Sequence, residues 1–360
     1  MSEPAERTIN MQKHLHPESR AEATHRQIRI PDEAQRGPVV IDDAGYVAGV
    51  DIGGTSLRLA LSDMNGVVEA KWACSTAGIR NPEAVLELIK NGVQHLLGQV
   101  SATHHSLRAV AAGAPGITDV DAGVVIATSY LMGWRNVPLR SMLEDAFNAP
   151  VAIDNDVNLA ALGEGWAGVA KGVSDFVFLA IGTGIGAGIV LNGQPFRGSN
   201  WAAGEIGYML VPGAPIFAAD RGEPGALESV IGGEGIRAQW RNNRHPLNSE
   251  SPEDLSATEI FDRACAGDIS AQNLLQQTSV ALSHAIYNIA LVLNCPLFVL
   301  GGSVGVHQVL YDATQTAVQL LNMRRQPRLV RSAFGTEAQL IGALRLALDT
   351  ARLFKRPPNS

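Results

Sequence analysis

The sequence contains little that would suit a secreted or disordered protein. Only 3 of its 360 residues are cysteine, and none of them stand in CxxC spacing. This argues against a disulfide framework and a cysteine zinc site, and favours a reducing compartment. Charged residues make up 18% of the chain and hydrophobic residues 46%, which is too little charge for a disordered protein and enough apolar material for a sizeable core.

The chain also lacks a basic surplus and a long apolar run. Its formal net charge is −7, so its charge does not favour non-specific binding of nucleic acid or of an anionic membrane. Residues 1–20 lack the apolar core of a secretory signal. The most apolar stretch, 285–300, is interrupted by Asn288, Asn294 and Pro296, which indicates a buried helix followed by a strand. We therefore expect a cytoplasmic protein with no membrane partner.

The first 45 residues differ from the rest of the chain. Residues 1–45 have no sustained apolar periodicity and carry more Asp and Glu than Lys and Arg. We expect this segment to be a disordered N-terminal tail. At about 150 residues per domain, the remaining length predicts two domains.

Glycine is abundant, with 37 of 360 residues against an average of about 7%. One pattern occurs twice, in which an apolar strand leads through a glycine turn into a second strand and an Asn-Gly hairpin signal. The first copy has strands at 46–50 and 56–63 before Asn65-Gly66; the second has a strand at 176–181 and a glycine turn at 182–188 before Asn192-Gly193. We interpret the two copies as related lobes whose glycine turns face a shared cleft.

The remaining segments predict an α/β protein, because helical spacing alternates with short apolar strands. Helices are predicted at 82–97, 157–167, 226–242, 257–266, 269–294, from 303 to about 323, and 337–353, and strands at 297–300 and 328–334.

Three glycine loops follow strands, at 51–55, 182–188 and 301–303. Glycine lets consecutive backbone N–H groups point at phosphate oxygens. A P-loop is excluded because GxxxxGK[ST] does not occur. A dinucleotide fingerprint fits Gly182-x-Gly184-x-x-Ala187, but that motif must open a helix, and a strand follows here.

The ordered set of motifs resembles the ROK family (repressors, open reading frames and sugar kinases), within the actin-like and hexokinase-like ATPases. The motifs are DIGGT at 51–55, GAPG at 113–116, GW at 133–134, NDVN at 155–158, AALGE at 160–164, the turn at 182–188, GEIG at 204–207 and Gly225-x-x-Glu228. The resemblance covers about 46–350. It implies an α/β, two-lobed actin-like (ribonuclease H-like) ATPase fold with a central cleft for nucleotide and sugar. The smaller lobe would comprise 46–154 with the C-terminal helix 337–354, and the larger lobe 155–336.

The resemblance also assigns roles to residues. Asp156 would be the general base of phosphoryl transfer from ATP, and Asp51 would position Mg²⁺ through water. Taken alone, an Asn-Asp pair before a helix is more often a cap, and we expect the helix N-terminus to lower the pKa of Asp156. The ATP phosphates would be held by Gly53, Gly54, Thr55, Gly182, Thr183 and Gly184, with Gly301, Gly302 and Ser303 near the nucleotide. The sugar would be bound by Asn155, Asp156, Glu205, Tyr208, Glu228, Gly113 and Gly116. The loop at 301–303 could also be an ordinary strand–turn–helix junction.

One motif departs from the family pattern. In zinc-containing members GEIGH continues into CxCGxxGC, whereas here Tyr208 occupies the histidine position and 219–226 contains no cysteine. We therefore expect no zinc. Tyr208 would pack the altered loop, and it would either change the sugar preference or mark a loss of catalysis.

These features predict an ATP-dependent kinase that phosphorylates a hexose or amino sugar at a primary hydroxyl, O6. The alternatives are a ROK transcriptional regulator that senses sugar and a catalytically inactive sugar-binding protein. A regulator needs a winged helix-turn-helix ahead of the sugar domain, and 1–45 is too short and too acidic for one, so we expect no nucleic-acid partner. The resemblance also implies a homodimer.

Overall fold

A computed structural model describes residues 45–354, except 80, 129, 130, 132, 214–223 and 244–253. The predicted disordered tail therefore lies, apart from Gly45, outside the described residues. Within the described ranges, no helix combines the length and apolar character needed to cross a membrane.

Strands and helices alternate along the described chain. The strands are β1 (Tyr46–Ile52), β2 (Ser56–Asp63), β3 (Val68–Ser75), β4 (Leu107–Ala114), β5 (Ile117–Asp119), β6 (Val124–Ala127), β7 (Arg135–Val137), β8 (Val151–Asn155), β9 (Phe176–Ile181), β10 (Ile185–Leu191), β11 (Gln194–Pro195), β12 (Leu297–Gly301) and β13 (Arg328–Arg331). The helices are α1 (Pro82–Gln99), α2 (Leu139–Phe147), α3 (Asp156–Ala167), α4 (Glu228–Ile231), α5 (Gly233–Asn243), α6 (Ala257–Cys265), α7 (Ile269–Leu293), α8 (Gly302–Gly305), α9 (Gln308–Leu320) and α10 (Ala338–Phe354).

Two five-stranded sheets share one topology. The first has the order β3-β2-β1-β4-β8 and the second the order β11-β10-β9-β12-β13. In each sheet a three-stranded antiparallel meander is extended by two parallel strands. This is the duplication that the repeated strand–turn–strand pattern predicts. A small antiparallel sheet, β5-β6-β7, lies between β4 and β8 in sequence.

The C-terminal helix returns to the first sheet. Leu340, Leu344 and Leu348 of α10 share a buried cluster with Val47 of β1 and Ala109 of β4. Since α3 contacts both sheets, the lobe boundaries 46–154 with 337–354 and 155–336 stay a prediction.

Helix α3 is held at close range on two sides. At the crossing of α3 with α10, a Cβ on Gly342 would collide with the carbonyl oxygen of Leu159, and one on Gly163 would lie 2.6 Å from that of Ala338. On the other side, a Cβ on Gly188 of β10 would lie 2.6 Å from the carbonyl oxygen of Val157. Larger side chains would push these elements apart, so the glycines fix the position of α3 and of its first residue, Asp156.

Caps explain where two helices begin. The Asn81 side chain accepts a hydrogen bond from the N–H of Ala84 at the start of α1, and Asp268 accepts one from Ala271 at the start of α7. Asn and Asp are both residue types preferred at this position.

Two predicted helices are wrong in their extent. The helix predicted at 226–242 is divided into α4 and α5 by Gly232, whose backbone is extended (ψ 150°). The helix predicted after β12 is divided into α8 and α9.

Candidate active site

The first glycine turn joins β1 to β2. It is closed by a hydrogen bond from Gly53 N–H to the carbonyl of Ser56, 2.8 Å long. The Thr76 hydroxyl donates to the carbonyl of Gly53 at 2.9 Å, and the Thr76 N–H donates to that of Thr55 at 3.1 Å. In a trans peptide the N–H points opposite to the carbonyl, so the N–H of Gly54 is directed away from Thr76. Thr76 thus orients the peptide groups of this turn.

The second glycine turn, between β9 and β10, is supported in a similar way. The carbonyls of Gly182 and Thr183 accept hydrogen bonds from Gly233 N–H (2.8 Å) and Glu234 N–H (3.1 Å) at the start of α5. The N–H groups of Thr183 and Gly184 are therefore directed away from α5. This role of α5 was not predicted, although the adjacent glycines at 232 and 233 were a possible signal.

The third glycine loop lies beside the second turn. Gly302 has φ +79°, and a Cβ there would collide with the carbonyl oxygen of Ile181. The Ser303 hydroxyl is exposed and lies 3.8 Å from the Cβ position of Gly182. The loop at 301–303 therefore adjoins the predicted phosphate site, although the helix that follows it has only four residues.

Asp51, near the end of β1, and Asp156, directly after β8, lie at the same edge of the first sheet, because β1 and β8 both run parallel to β4 between them. Asp51 is 4% exposed and accepts hydrogen bonds from Arg58, at 2.5 Å from Nη2 and 2.8 Å from Nε. The two residues are direct partners in the β1–β2 register. Burial raises the pKa of Asp51, while the charge and hydrogen bond of Arg58 act in the opposite direction.

Asp156 has a pKa suited to proton transfer near neutrality. Burial is the largest cause and the negative charge of Asp51 the next, and together with Glu205 they raise its pKa from 3.8 to about 7. The N–H of Val157, 2.9 Å from Oδ1, acts in the opposite direction. The expectation that the helix N-terminus would lower this pKa is wrong, because burial and two nearby carboxylates outweigh the helix N–H groups.

Asn155 connects three parts of the site. Its side-chain oxygen caps α3 by accepting from Val157 N–H (2.8 Å) and Asn158 N–H (3.1 Å), and its amide donates to the carbonyl of Gly116 (2.9 Å). The Cβ position of Gly113 lies 3.5 Å from Asp156 Cα. The structure therefore brings the GAPG segment next to the Asn155–Asp156 pair.

The GEIG segment supplies another carboxylate near Asp156, that of Glu205. Glu205 is solvent-exposed, yet the surrounding protein still partly desolvates its carboxylate, and this burial, followed by the charge of Glu228, raises its pKa. The Glu228 carboxylate accepts a hydrogen bond from the N–H of Ile185, 3.2 Å away. Tyr208 is 48% exposed. Because 214–223 lie outside the described residues, the packing of the altered loop by Tyr208 stays a prediction.

Two arginines of the site were not predicted from the sequence. Arg58 pairs with Asp51, as described above, and Arg197 pairs with the buried Asp154 of β8. The hairpin register could have revealed the first pair, since Arg58 stands opposite Asp51. The second joins the two sheets and has no local signal.

Across the described ranges, no three His, Cys, Asp or Glu side chains form a group that could hold a metal ion. Residues 219–223, in the segment where zinc ligands would stand, lie outside those ranges, so the zinc-free prediction stays a prediction. Magnesium needs no such group, because it is commonly bound by one or two carboxylates, water and substrate phosphates. Buried Asp51, with Asp156 near enough to feel its charge, fits that donor set.

Comparisons of this chain with known proteins agree on one family. The ROK family model matches residues 47–350. A glucokinase from Halalkalibacterium halodurans is 34% identical over 73% of this chain and 82% of its own. A xylose repressor from Caldicellulosiruptor bescii is 28% identical over 74% of this chain and 68% of its own. A solved structure of a ROK family glucokinase from Streptomyces griseus, in complex with glucose and AMPPNP, is similar with a TM-score of 0.72 and 26% identity, covering 85% of this chain and 100% of that one.

Proposed function

The chain belongs to the ROK family and has its two-lobed actin-like fold, and we propose that it is an ATP-dependent sugar kinase with Asp156 as general base. The acceptor is a hexose or amino sugar, and the phosphoryl group is transferred to a primary hydroxyl, O6. The observation that carries the proposal is the pKa of Asp156, raised to about 7 at the edge where Asp51 and Glu205 approach it. Similarity to a glucokinase supports the same reading.

Asp156 is suited to remove the proton from the attacking hydroxyl. A general base is most effective when its pKa lies near the working pH, and about half of a group with pKa 7 is ionised at neutrality. As the proton moves to the Asp156 carboxylate, the hydroxyl oxygen bonds to the γ-phosphorus and the bond from that phosphorus to the ADP oxygen breaks. Asn155, Glu205, Glu228 and Tyr208 bind the other sugar hydroxyls, and Gly113 and Gly116 close one side.

The peptide N–H groups of the glycine turns bind the ATP phosphates in this proposal. Thr76 orients the Gly53–Thr55 turn, and α5 orients the turn at 182–184, with Ser303 beside it. Peptide donors suit a protein of net charge −7, since they carry no formal charge. Asp51 would hold the magnesium that accompanies ATP, which would supply positive charge to neutralise the phosphates.

The test is a coupled assay of ADP release with Mg-ATP over glucose, mannose, fructose, allose, N-acetylglucosamine and N-acetylmannosamine. We expect at least one sugar to raise turnover, and Asp156→Asn to abolish that increase. If sugars raise the Tm of the wild-type protein without any turnover, the kinase proposal is wrong. A sugar sensor or an inactive sugar-binding protein would then be favoured, as similarity to a repressor allows.

A further inference from the structure

An ion pair between Asp154 and Arg197 lies two residues before Asp156 in the chain and joins the two sheets. Asp154, at the end of β8, is 2% exposed. It receives the guanidinium of Arg197, which follows β11: Nη2 lies 2.5 Å and Nε 3.1 Å from Oδ2, and Nε is 3.3 Å from Oδ1. Two donors at the start of α3 also bind Asp154 Oδ1: the N–H of Asn155 at 2.8 Å and the side-chain amide of Asn158 at 3.0 Å.

The pair is connected to Asp156 by a short path. Asp154 precedes Asp156 by two residues, and both Asn155 and Asn158, which donate to Asp154, belong to the start of α3. The guanidinium therefore fixes the strand end from which the Asp156 carboxylate projects. A two-point Arg–carboxylate contact sets orientation as well as distance, which a lysine ammonium cannot do.

The backbone of Arg197 is connected to Glu205. Its carbonyl accepts a hydrogen bond of 3.1 Å from the N–H of Ala203, and the carbonyl of Gly204 accepts one of 2.9 Å from Ala187 of β10. Gly204 has φ +94°, and a Cβ there would collide with the carbonyl oxygen of Ala187. The loop that ends in Glu205 is therefore hydrogen-bonded to the backbone of Arg197 at one point and to β10 at another.

We propose that Arg197 is a positioning residue that fixes the Asp156 strand end and the Glu205 loop relative to each other, so that both sides of the sugar site are set by one residue. The guanidinium holds one side through Asp154, and the carbonyl holds the other through Ala203. This inference rests on the proposed sugar kinase function. Arg197 itself touches neither the sugar nor ATP in this proposal.

The test avoids leaving a buried charge without a partner. A variant that replaces Arg197 alone by an apolar residue would leave the buried Asp154 carboxylate without its cationic partner and could fail to fold. The double variant Asp154→Asn, Arg197→Gln removes both charges, and Arg197→Lys keeps the charge but loses the two-point contact. Leu96→Ala, in the buried core that α1 shares with the first sheet, serves as a control for a fall in Tm without a change at the site.

Three quantities are measured for each variant. The first is kcat and KM for the panel sugar that the wild type uses best, and the second is the Kd of AMPPNP. The third is hydrogen exchange of the peptides spanning 155–160 and 198–207 in the protein without ligands, which needs no sugar. We expect the double variant to lose about tenfold to a hundredfold in kcat/KM for the sugar, since displacement by about 1 Å can cost a hundredfold. The Kd of AMPPNP should stay within twofold, both peptides should exchange faster, and Arg197→Lys should fall between the double variant and the wild type.

The outcomes separate this inference from the function on which it rests. If the wild type is active and the double variant keeps its kcat/KM within twofold, Arg197 is not a positioning residue. If sugar and AMPPNP binding weaken together, or if Leu96→Ala loses the same kcat/KM, the effect is general destabilisation and the inference is also wrong. If no sugar is turned over by the wild type, the kinase function fails, while exchange of the two peptides still decides whether Arg197 ties them together.

Discussion

Asp156→Asn is expected to make the protein more stable at pH 8 while removing its activity. In the folded protein the pKa of this carboxyl is raised from 3.8 to about 7, so ionisation is opposed by about three pKa units. At 1.36 kcal/mol per unit, the ionised group destabilises the fold by up to about 4 kcal/mol. Asparagine has the same size, carries no charge and can still accept the hydrogen bond from Val157 N–H.

The sign of the pH dependence follows from proton binding. Between pH 3.8 and about 7 the folded wild type keeps a proton on Asp156 that the unfolded chain has lost. The stability of the wild type relative to Asp156→Asn therefore falls as pH rises through this window, and the full difference is present above pH 7. Near pH 4 the wild-type carboxyl is protonated and the two proteins should be almost equally stable.

Urea unfolding at pH 5, 6, 7 and 8 measures this difference directly. We expect the free energy of unfolding of Asp156→Asn to exceed that of the wild type by an amount that grows with pH. For the control Asp145→Asn, on the exposed face of α2, the difference from the wild type should stay constant. An Asp156→Asn protein that is no more stable than the wild type at pH 8, or whose advantage does not change with pH, would refute the assignment of a base whose ionisation is opposed by desolvation.

Other substitutions test the supports of the site. Gly342→Ala should lower stability by about 1–3 kcal/mol or more, because its Cβ collides with the Leu159 carbonyl, whereas Gly98→Ala in α1, with open space around it, should not lower the Tm. Equal Tm values would contradict the close helix crossing. Thr76→Val removes a hydrogen bond to Gly53 worth about 1 kcal/mol, so steady-state kinetics should show the KM for ATP rising about fivefold with the sugar KM unchanged. A change in the sugar KM alone would contradict the role of this turn. Glu164→Gln should cost about 1–3 kcal/mol in urea unfolding, because the fully buried carboxylate accepts hydrogen bonds from the chain before α10 and from the end of α3, where an amide would present N–H groups to donors. Unchanged stability would show that this carboxylate does not join α3 to the C-terminal segment.

Local signals in the sequence predicted several of the strands. The ranges predicted for β2 and β9 equal those observed, because each is an apolar segment that ends at a turn of glycine or asparagine. The break between α4 and α5 was not predictable from periodicity, since apolar spacing continues through it. Its cause is tertiary: Gly233 N–H binds the carbonyl of Gly182 in another part of the chain.

The electrostatics of the site depend on residues that are distant in sequence. The glycine turns and the carboxylates were recognisable as motifs, yet the direction of the pKa shift of Asp156 was mispredicted. A helix N-terminus is visible in the sequence, whereas burial and the approach of Asp51 and Glu205 arise only when the chain is folded. The pairing of Arg197 with Asp154 was missed for the same reason.

The pH dependence of kcat/KM for the preferred sugar, at saturating Mg-ATP, tests directly whether Asp156 is the base of a sugar kinase. We expect kcat/KM to fall tenfold per pH unit below an apparent pKa near 7, the value to which burial and the Asp51 charge raise the pKa of this carboxyl. Asp156→Asn should lose about a hundredfold to ten-thousandfold in kcat/KM, and its residual rate should no longer fall below pH 7. A rate that is constant from pH 5.5 to 8.5, or an Asp156→Asn protein that keeps wild-type turnover, would contradict this role of Asp156.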